Sequence, residues 1–120
     1  MALKVKRVYE AADPGDGMRI LVDRLWPRGI AKEKAKIDLW LKEVAPSDAL
    51  RKRFHARPEL WGAFCAAYAE ELGDRAIAPA VAALRQHIKQ GAVTLLYAAR
   101  DEAHNNAVAL KAWLTREVRS

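Results

Sequence analysis

Two short polar clusters carry the residues of this chain best suited to chemistry, and each sets arginine beside aspartate. The first runs from Asp23 and Arg24 through Trp26 and Pro27 to Arg28 and Gly29. The second runs from Arg100 and Asp101 through His104 to Asn105 and Asn106. The guanidinium groups of Arg24, Arg28 and Arg100 present paired N–H donors that match the oxygens of phosphate or carboxylate. Asp23, Asp101 and His104 are the candidate acid–base or orienting groups, with Tyr97 and Asn105 beside them as candidate ligand contacts. Trp26 lies in a loop between arginines, where an indole face can stack on a ring or a base. Lys42 and Ser47 add a third block, set against a surface role for the lysine and a helix-cap role for the serine. The plainer alternative is that both aspartates neutralise neighbouring arginines, that Asp101 caps a helix, and that His104 is a surface histidine.

The elements that must position these clusters are legible in outline. Residues 93–99 form a continuous apolar run, the pattern of a strand buried on both faces. A helix follows, with Ala103, Ala107, Leu110, Leu114 and Val118 on one face and Asp101 as its cap. A buried strand feeding a helix N-terminus offers free N–H groups to an anion. Residues 3–9 alternate apolar and basic side chains with period two and read as a strand. Asp13, Pro14, Gly15, Asp16 and Gly17 then signal a turn, and residues 19–23 a second strand. The connection is too short for the usual helical crossover, so a hairpin-like pair and a crossover lacking its helix both stay open. Residues 30–36 are basic and irregular or form one short helical turn. In residues 37–44, Ile37, Leu39 and Leu41 alternate as in a strand, while Ile37, Trp40, Leu41 and Val44 make a helical stripe; the strand is preferred.

Further along, Ser47 caps a short helix reaching about His55. Pro58 opens a helix whose stripe is Trp61, Phe64, Cys65, Tyr68 and Leu72, ended by Gly73. Pro79 opens another, with Val81, Leu84 and Ile88 inward, stopped by Gly91. This order predicts a single α/β domain over residues 1–120, with a mostly parallel central sheet of about four strands, flanking helices and the 93–98 strand central. Ligands of such sheets bind beyond the carboxyl ends of the strands, where both polar clusters fall.

Composition narrows the function classes. The net charge of +6 lies in residues 1–57, with 14 Lys/Arg against 8 Asp/Glu, while residues 58–120 are balanced at 7 and 7. A basic half suits an anionic metabolite or nucleic acid, and it also serves solubility. One cysteine, Cys65, precludes an internal disulfide and reads as a core filler. No apolar run approaches a membrane span, no signal-peptide core is present, and the cytoplasm is the default location. His55 and His87 are isolated, no metal-ligand spacing, phosphate-cradling glycine loop or nucleophile elbow is present, and no cofactor is expected. Two readings follow. One is a small enzyme or metabolite-binding domain with a phosphate-type anion pocket at the strand ends. The other is a nucleic-acid binder that gathers Lys32, Lys34, Lys36, Arg51, Lys52 and Arg53 on one open face, with Trp26 stacking on a base.

At residues 21–29 (LVDRLWPRG), 40–47 (WLKEVAPS) and 95–105 (LLYAARDEAHN) the chain resembles the YeaO-like branch of domain-of-unknown-function family 488. The likeness covers essentially the whole chain. It implies a small bacterial cytoplasmic α/β protein of a family without a settled activity, a strand at 37–44, and one site built from both strand-end clusters. The resemblance also implies an Asp-x-Arg-x-x-Pro block after the second strand of the wider family; here Asp23, Arg24 and Pro27 come close, with Arg24 directly after Asp23. Where the resemblance implies a cysteine near the end of the last strand and a Cys-His-Arg block at the next helix, this chain has Tyr97, Ala98 and Ala99, then Ala103, His104 and Asn105. Cysteine chemistry or metal binding is therefore not carried over.

Overall fold

Every side chain of the run Val93–Tyr97 is buried, and this strand (β4) forms the middle of the sheet. It lies parallel between β1 (Leu3–Arg7) and β2 (Met18–Leu21), with Leu3 and Met18 both level with Val93. A short fourth strand, β3 (Leu39–Trp40), pairs with the far edge of β2, so the order is β1-β4-β2-β3 and every pairing is parallel. A strand flanked on both edges and packed on both faces has no solvent side, which is why its sequence shows no alternation. The computed structural model describes the backbone of residues 2–119 and their side chains except those of Lys32 and residues 117–119. The expected roles of Lys32 on a basic face and Val118 on the last helix stripe lie outside these described side chains.

Because β4 fills the slot between β1 and β2, the segment 8–17 runs back along the sheet and across two strand positions. The parallel register excludes a hairpin. At about 3.3 Å per residue the segment can span that path, with room for a tight turn but not for a helix lying across the sheet. The turn is a 3-10 element, Pro14–Asp16, in which the Asp13 carboxylate accepts from the Gly15 N–H at 2.8 Å. Asp16 returns the bond by accepting from the Asp13 N–H at 3.1 Å. Gly17 then turns at φ 65°, and a Cβ there would lie 2.2 Å from the Ala92 carbonyl oxygen. Only glycine fits that approach.

Five helices complete the chain: α1 (Lys32–Ala35), α2 (Asp48–Ala56), α3 (Trp61–Leu72), α4 (Ala78–Gln90) and α5 (Asn106–Arg119). Ser47 caps α2 by accepting from the Leu50 N–H, Gly73 follows α3, and Gly91 follows α4, as the sequence signals require. Strand alternation divides the side chains into two cores. Leu3, Ile20, Val22, Val93, Leu95 and Tyr97 pack with Leu50, Phe64, Tyr68, Leu84, Leu110 and Leu114 of the helices. On the other face Val8, Leu21 and Leu96 are sealed by Trp26, Ile30, Ile37 and Trp40. Cys65 is half-buried against the main core, and burial pushes its thiol up.

Three boundaries differ from the sequence pattern. The strand expected over residues 37–44 pairs only at Leu39–Trp40 and then tightens into a 3-10 turn, Lys42–Val44. Ile37 and Trp40 pack on the small core while Leu41 and Val44 enter the large one, so neither single period describes the stretch. The third helix starts at Trp61, because Pro58 sits in a turn before it. The last helix starts at Asn106 instead of Asp101, and its cap is Asn105, whose Oδ1 accepts from the Val108 N–H at 2.9 Å.

Candidate functional site at the carboxyl ends of β2 and β4

Where β2 and β4 part, the Asp23 side chain takes over from the ladder. The Val22 N–H still donates to the Leu96 carbonyl at 3.1 Å. One residue further, Asp23 Oδ2 accepts from the Ala98 N–H at 2.9 Å and Oδ1 accepts from Asn106 Nδ2 at 3.0 Å. The same Asn106 amide donates to the Val22 carbonyl at 2.9 Å, and Trp40 Nε1 donates to the Asp23 carbonyl at 2.7 Å. Asp23 therefore joins the ends of β2, β3 and β4 to the first residue of α5. Burial pushes its carboxyl above the usual range, against the opposing pull of Asn106, Ala98 and the nearby Arg51 guanidinium. Beneath it Tyr68 is buried, donates its hydroxyl proton to the Val44 carbonyl, and is raised out of any useful titration range, by burial first and by Asp23 and Glu71 next.

The neighbouring groups are largely engaged. Arg24 does not pair with Asp23; its Nε and Nη2 donate to the Pro46 and Ala45 carbonyls, both at 3.2 Å. Ser47 donates to Glu71 through its hydroxyl at 2.6 Å and through its N–H at 2.8 Å, tying α2 to α3. Arg51 contacts Asp48 through Nη2 at 3.3 Å, and its Nε is buried with no acceptor. In the loop after β4, the exposed Asp101 accepts from the Ala103 and His104 N–H groups, both at 2.9 Å, and those bonds, His104 first, hold its carboxyl below the usual range. The His104 ring stacks on Trp61, with centroids 4.7 Å apart and planes 19° apart, which pins the loop to the start of α3. Arg100 is exposed, and its guanidinium has no hydrogen bond or ion pair among the described residues.

The remaining candidates are placed elsewhere or inward. Trp26 donates from Nε1 to the Ile30 carbonyl at 2.9 Å and meets Trp40 edge-on at 5.5 Å, so its ring seals the small core. Arg28 is exposed nearby, its carbonyl accepting from the Tyr9 hydroxyl at 3.1 Å. Lys42 lies over the Trp40 ring at 5.1 Å. Tyr97 is buried in the main core, burial raising its phenol, and Asn105 is the buried helix cap. A groove of about 350 Å³ runs between α2 and α3, lined by Ser47, Arg53, Glu70, Glu71 and Asp74 among others, and not by Arg24, Arg28 or Arg100. The elements α1 and α2 lie on opposite faces of the sheet. Carbonyls of Ala35 and Lys36 accept from Arg19 on the Leu21 side of the sheet, whereas α2 inserts Leu50 into the main core. Among the described residues no group of three or more His, Cys, Asp and Glu could hold a metal, and no helix is long and apolar enough to cross a membrane.

A family profile described as the inactive DUF488-N3 subclade matches residues 2–120. The chain belongs to this family, DUF488-N3i. It is similar to the uncharacterised protein YeaO of Escherichia coli K12, 42% identical over 114 residues, which covers 95% of this chain and 97% of that one. It is also similar to the uncharacterised protein Rv3073c of Mycobacterium tuberculosis H37Rv, 44% identical over 108 residues, or 90% and 89% of the two chains. No solved structure matches. The resemblance drawn from three blocks thus extends along the whole DUF488-N3i chain. Sequence reasoning placed Asn106 in the second polar cluster without giving it a role, and it assigned Arg51 only to a basic face. An asparagine pair at a strand-to-helix junction is the signal that pointed there, since one asparagine suffices for a cap.

Proposed function

We propose that this DUF488-N3i chain is a binding domain without turnover of its own, taking an anionic small molecule at the carboxyl ends of β2 and β4. One observation carries the reading. The carboxylates there are held by the fold's own donors, Asp23 by Ala98 and Asn106 and Asp101 by Ala103 and His104, while cationic donors are left over. Both carboxylates are thus oriented by the fold, Asp23 through both oxygens and Asp101 through Oδ1, and serve structure before proton transfer. Among the described residues Arg100 stands exposed without a hydrogen bond or ion pair, and the Nε of Arg51 is buried without an acceptor. An unsatisfied buried N–H costs about 1–3 kcal/mol, a deficit relieved when a ligand oxygen draws Arg51 into a new pose. Guanidinium forks match phosphate and carboxylate oxygens, which sets the ligand class. The description of the family as inactive points the same way.

Inorganic phosphate and sulfate titrations, followed at the Trp61 indole resonance, test the proposal, because Trp61 carries the His104 ring and so reports on the loop after β4. A saturable shift is expected, with a rise in melting temperature by mass action that is lost in Arg100→Ala and in Arg51→Ala. A Trp61 signal and a melting temperature indifferent to phosphate, sulfate and nucleotide alike would refute it.

A further inference from the structure

A second charged centre lies away from the strand ends, on the face of the sheet that the main core does not use. Asp16 is 1% exposed and receives three cations: Arg19 Nη1 at 2.6 Å, Lys6 Nζ at 3.1 and 3.2 Å, and Lys4 Nζ at 3.3 Å. Arg19 alone neutralises the carboxylate and cannot leave, being buried and bound to the Lys36 and Ala35 carbonyls at 3.1 and 3.0 Å. The floor is fixed as well, since the Thr94 hydroxyl donates to the Asp16 carbonyl at 2.8 Å. Two ammonium groups remain, offset in part by the Asp13 carboxylate: its Oδ1 lies 3.3 Å and Lys4 Nζ 3.8 Å from the same Cβ position built on Gly15. Both ammonium groups reach the same oxygen, Asp16 Oδ1, so they stand within about two hydrogen-bond lengths of each other and repel, more strongly where the buried pair keeps water away. Each ammonium has three donors, and Asp16 does not use them all. The Lys4 and Lys6 side chains remain 52% and 19% exposed, so the cluster is open to solvent mainly on the Lys4 side.

We propose that Lys4 and Lys6 form an anion site of their own, in which a phosphate-type oxyanion bridges both ammonium groups above the Asp16–Arg19 pair. A tetrahedral oxyanion can give an oxygen to each ammonium group and keep its charge beside both. This site also gives a role to the alternating lysines of β1, which the strand ends do not use. It is independent of Arg51 and Arg100.

The test is a titration of the full chain with inorganic phosphate against chloride at matched ionic strength, read at the backbone amides of Gly15 and Asp16. Gly15 lies beside Lys4: a Cβ built on it would be 3.8 Å from Lys4 Nζ. Saturable shifts at these amides are expected with phosphate only. Binding should weaken about tenfold or more in Lys4→Gln, as for loss of a charge-assisted hydrogen bond, and stay unchanged in Arg100→Ala. Lys4→Gln leaves Arg19 and Lys6 on Asp16, so the variant retains its fold. An equal response to chloride, a response without saturation, or an undiminished affinity in Lys4→Gln overturns the proposal. So does an effect that disappears in Arg100→Ala, which belongs to the strand-end site instead.

Discussion

Replacing Asn106 with alanine removes one amide that serves two acceptors, the Val22 carbonyl at 2.9 Å and Asp23 Oδ1 at 3.0 Å. Both bonds are partly buried, so water can repair them only in part. Leaving one buried acceptor bare costs about 1–3 kcal/mol, and the two together should cost about 2–4 kcal/mol at neutral pH after some relaxation. The loss also depends on pH, with a sign set by Asp23. Burial holds its carboxyl above the usual range in the folded state, and Asn106 is the largest influence opposing that. The folded state thus binds this proton more tightly than the unfolded chain. Stability from the group is greatest below the unfolded pKa and falls as pH rises through the folded one. Without Asn106 the folded value climbs further, so the variant's deficit is largest at neutral pH and shrinks as acidification protonates Asp23. Urea unfolding of both proteins at neutral and mildly acidic pH, followed by tryptophan fluorescence, measures this. A deficit below about 1 kcal/mol, or one identical at the two pH values, would show that the junction is not held as described.

Two further substitutions test the scaffold under the sites. Gly17→Ala places a methyl group 2.2 Å from the Ala92 carbonyl oxygen at a positive φ, and should cost about 3 kcal/mol or more in urea unfolding; a loss under about 1 kcal/mol would show that the close approach relaxes freely. Asp16→Asn leaves Arg19, Lys4 and Lys6 without their counter-charge and should cost about 3–5 kcal/mol at neutral pH. Although burial alone would raise the Asp16 carboxyl, Lys6, the Asp13 N–H, Arg19 and Lys4 hold it well below the usual range. Its stabilisation is therefore present above the unfolded pKa and is lost as pH falls through the folded one, so the deficit of Asp16→Asn should narrow in strong acid. A deficit unchanged in strong acid would contradict that ion-pair account.

What the chain determined by itself is what a few neighbouring residues can enforce. The central strand Val93–Tyr97 was legible because burial on both faces leaves a continuous apolar run. Ser47, Gly73 and Gly91 marked helix ends because caps act through hydrogen bonds and φ angles only a few residues away. The sequence also located the polar clusters beyond the strands. It did not decide the insertion of β4 between β1 and β2, because the short segment 8–17 fits a hairpin as well as a bare crossover until Val93–Tyr97 arrives. It misplaced the start of α5: Asp101 reads as a good local cap, yet the helix begins at Asn106, whose amide reaches Val22 and Asp23, 84 and 83 residues earlier in the chain. The same holds for charge. Asp23 sits next to Arg24 in sequence, yet its carboxylate answers to Ala98 and Asn106, while Arg24 turns to carbonyls beyond β3. Adjacent side chains on an extended segment point to opposite sides, so sequence neighbours part and partners 75 and 83 residues away become contacts only once the sheet has closed.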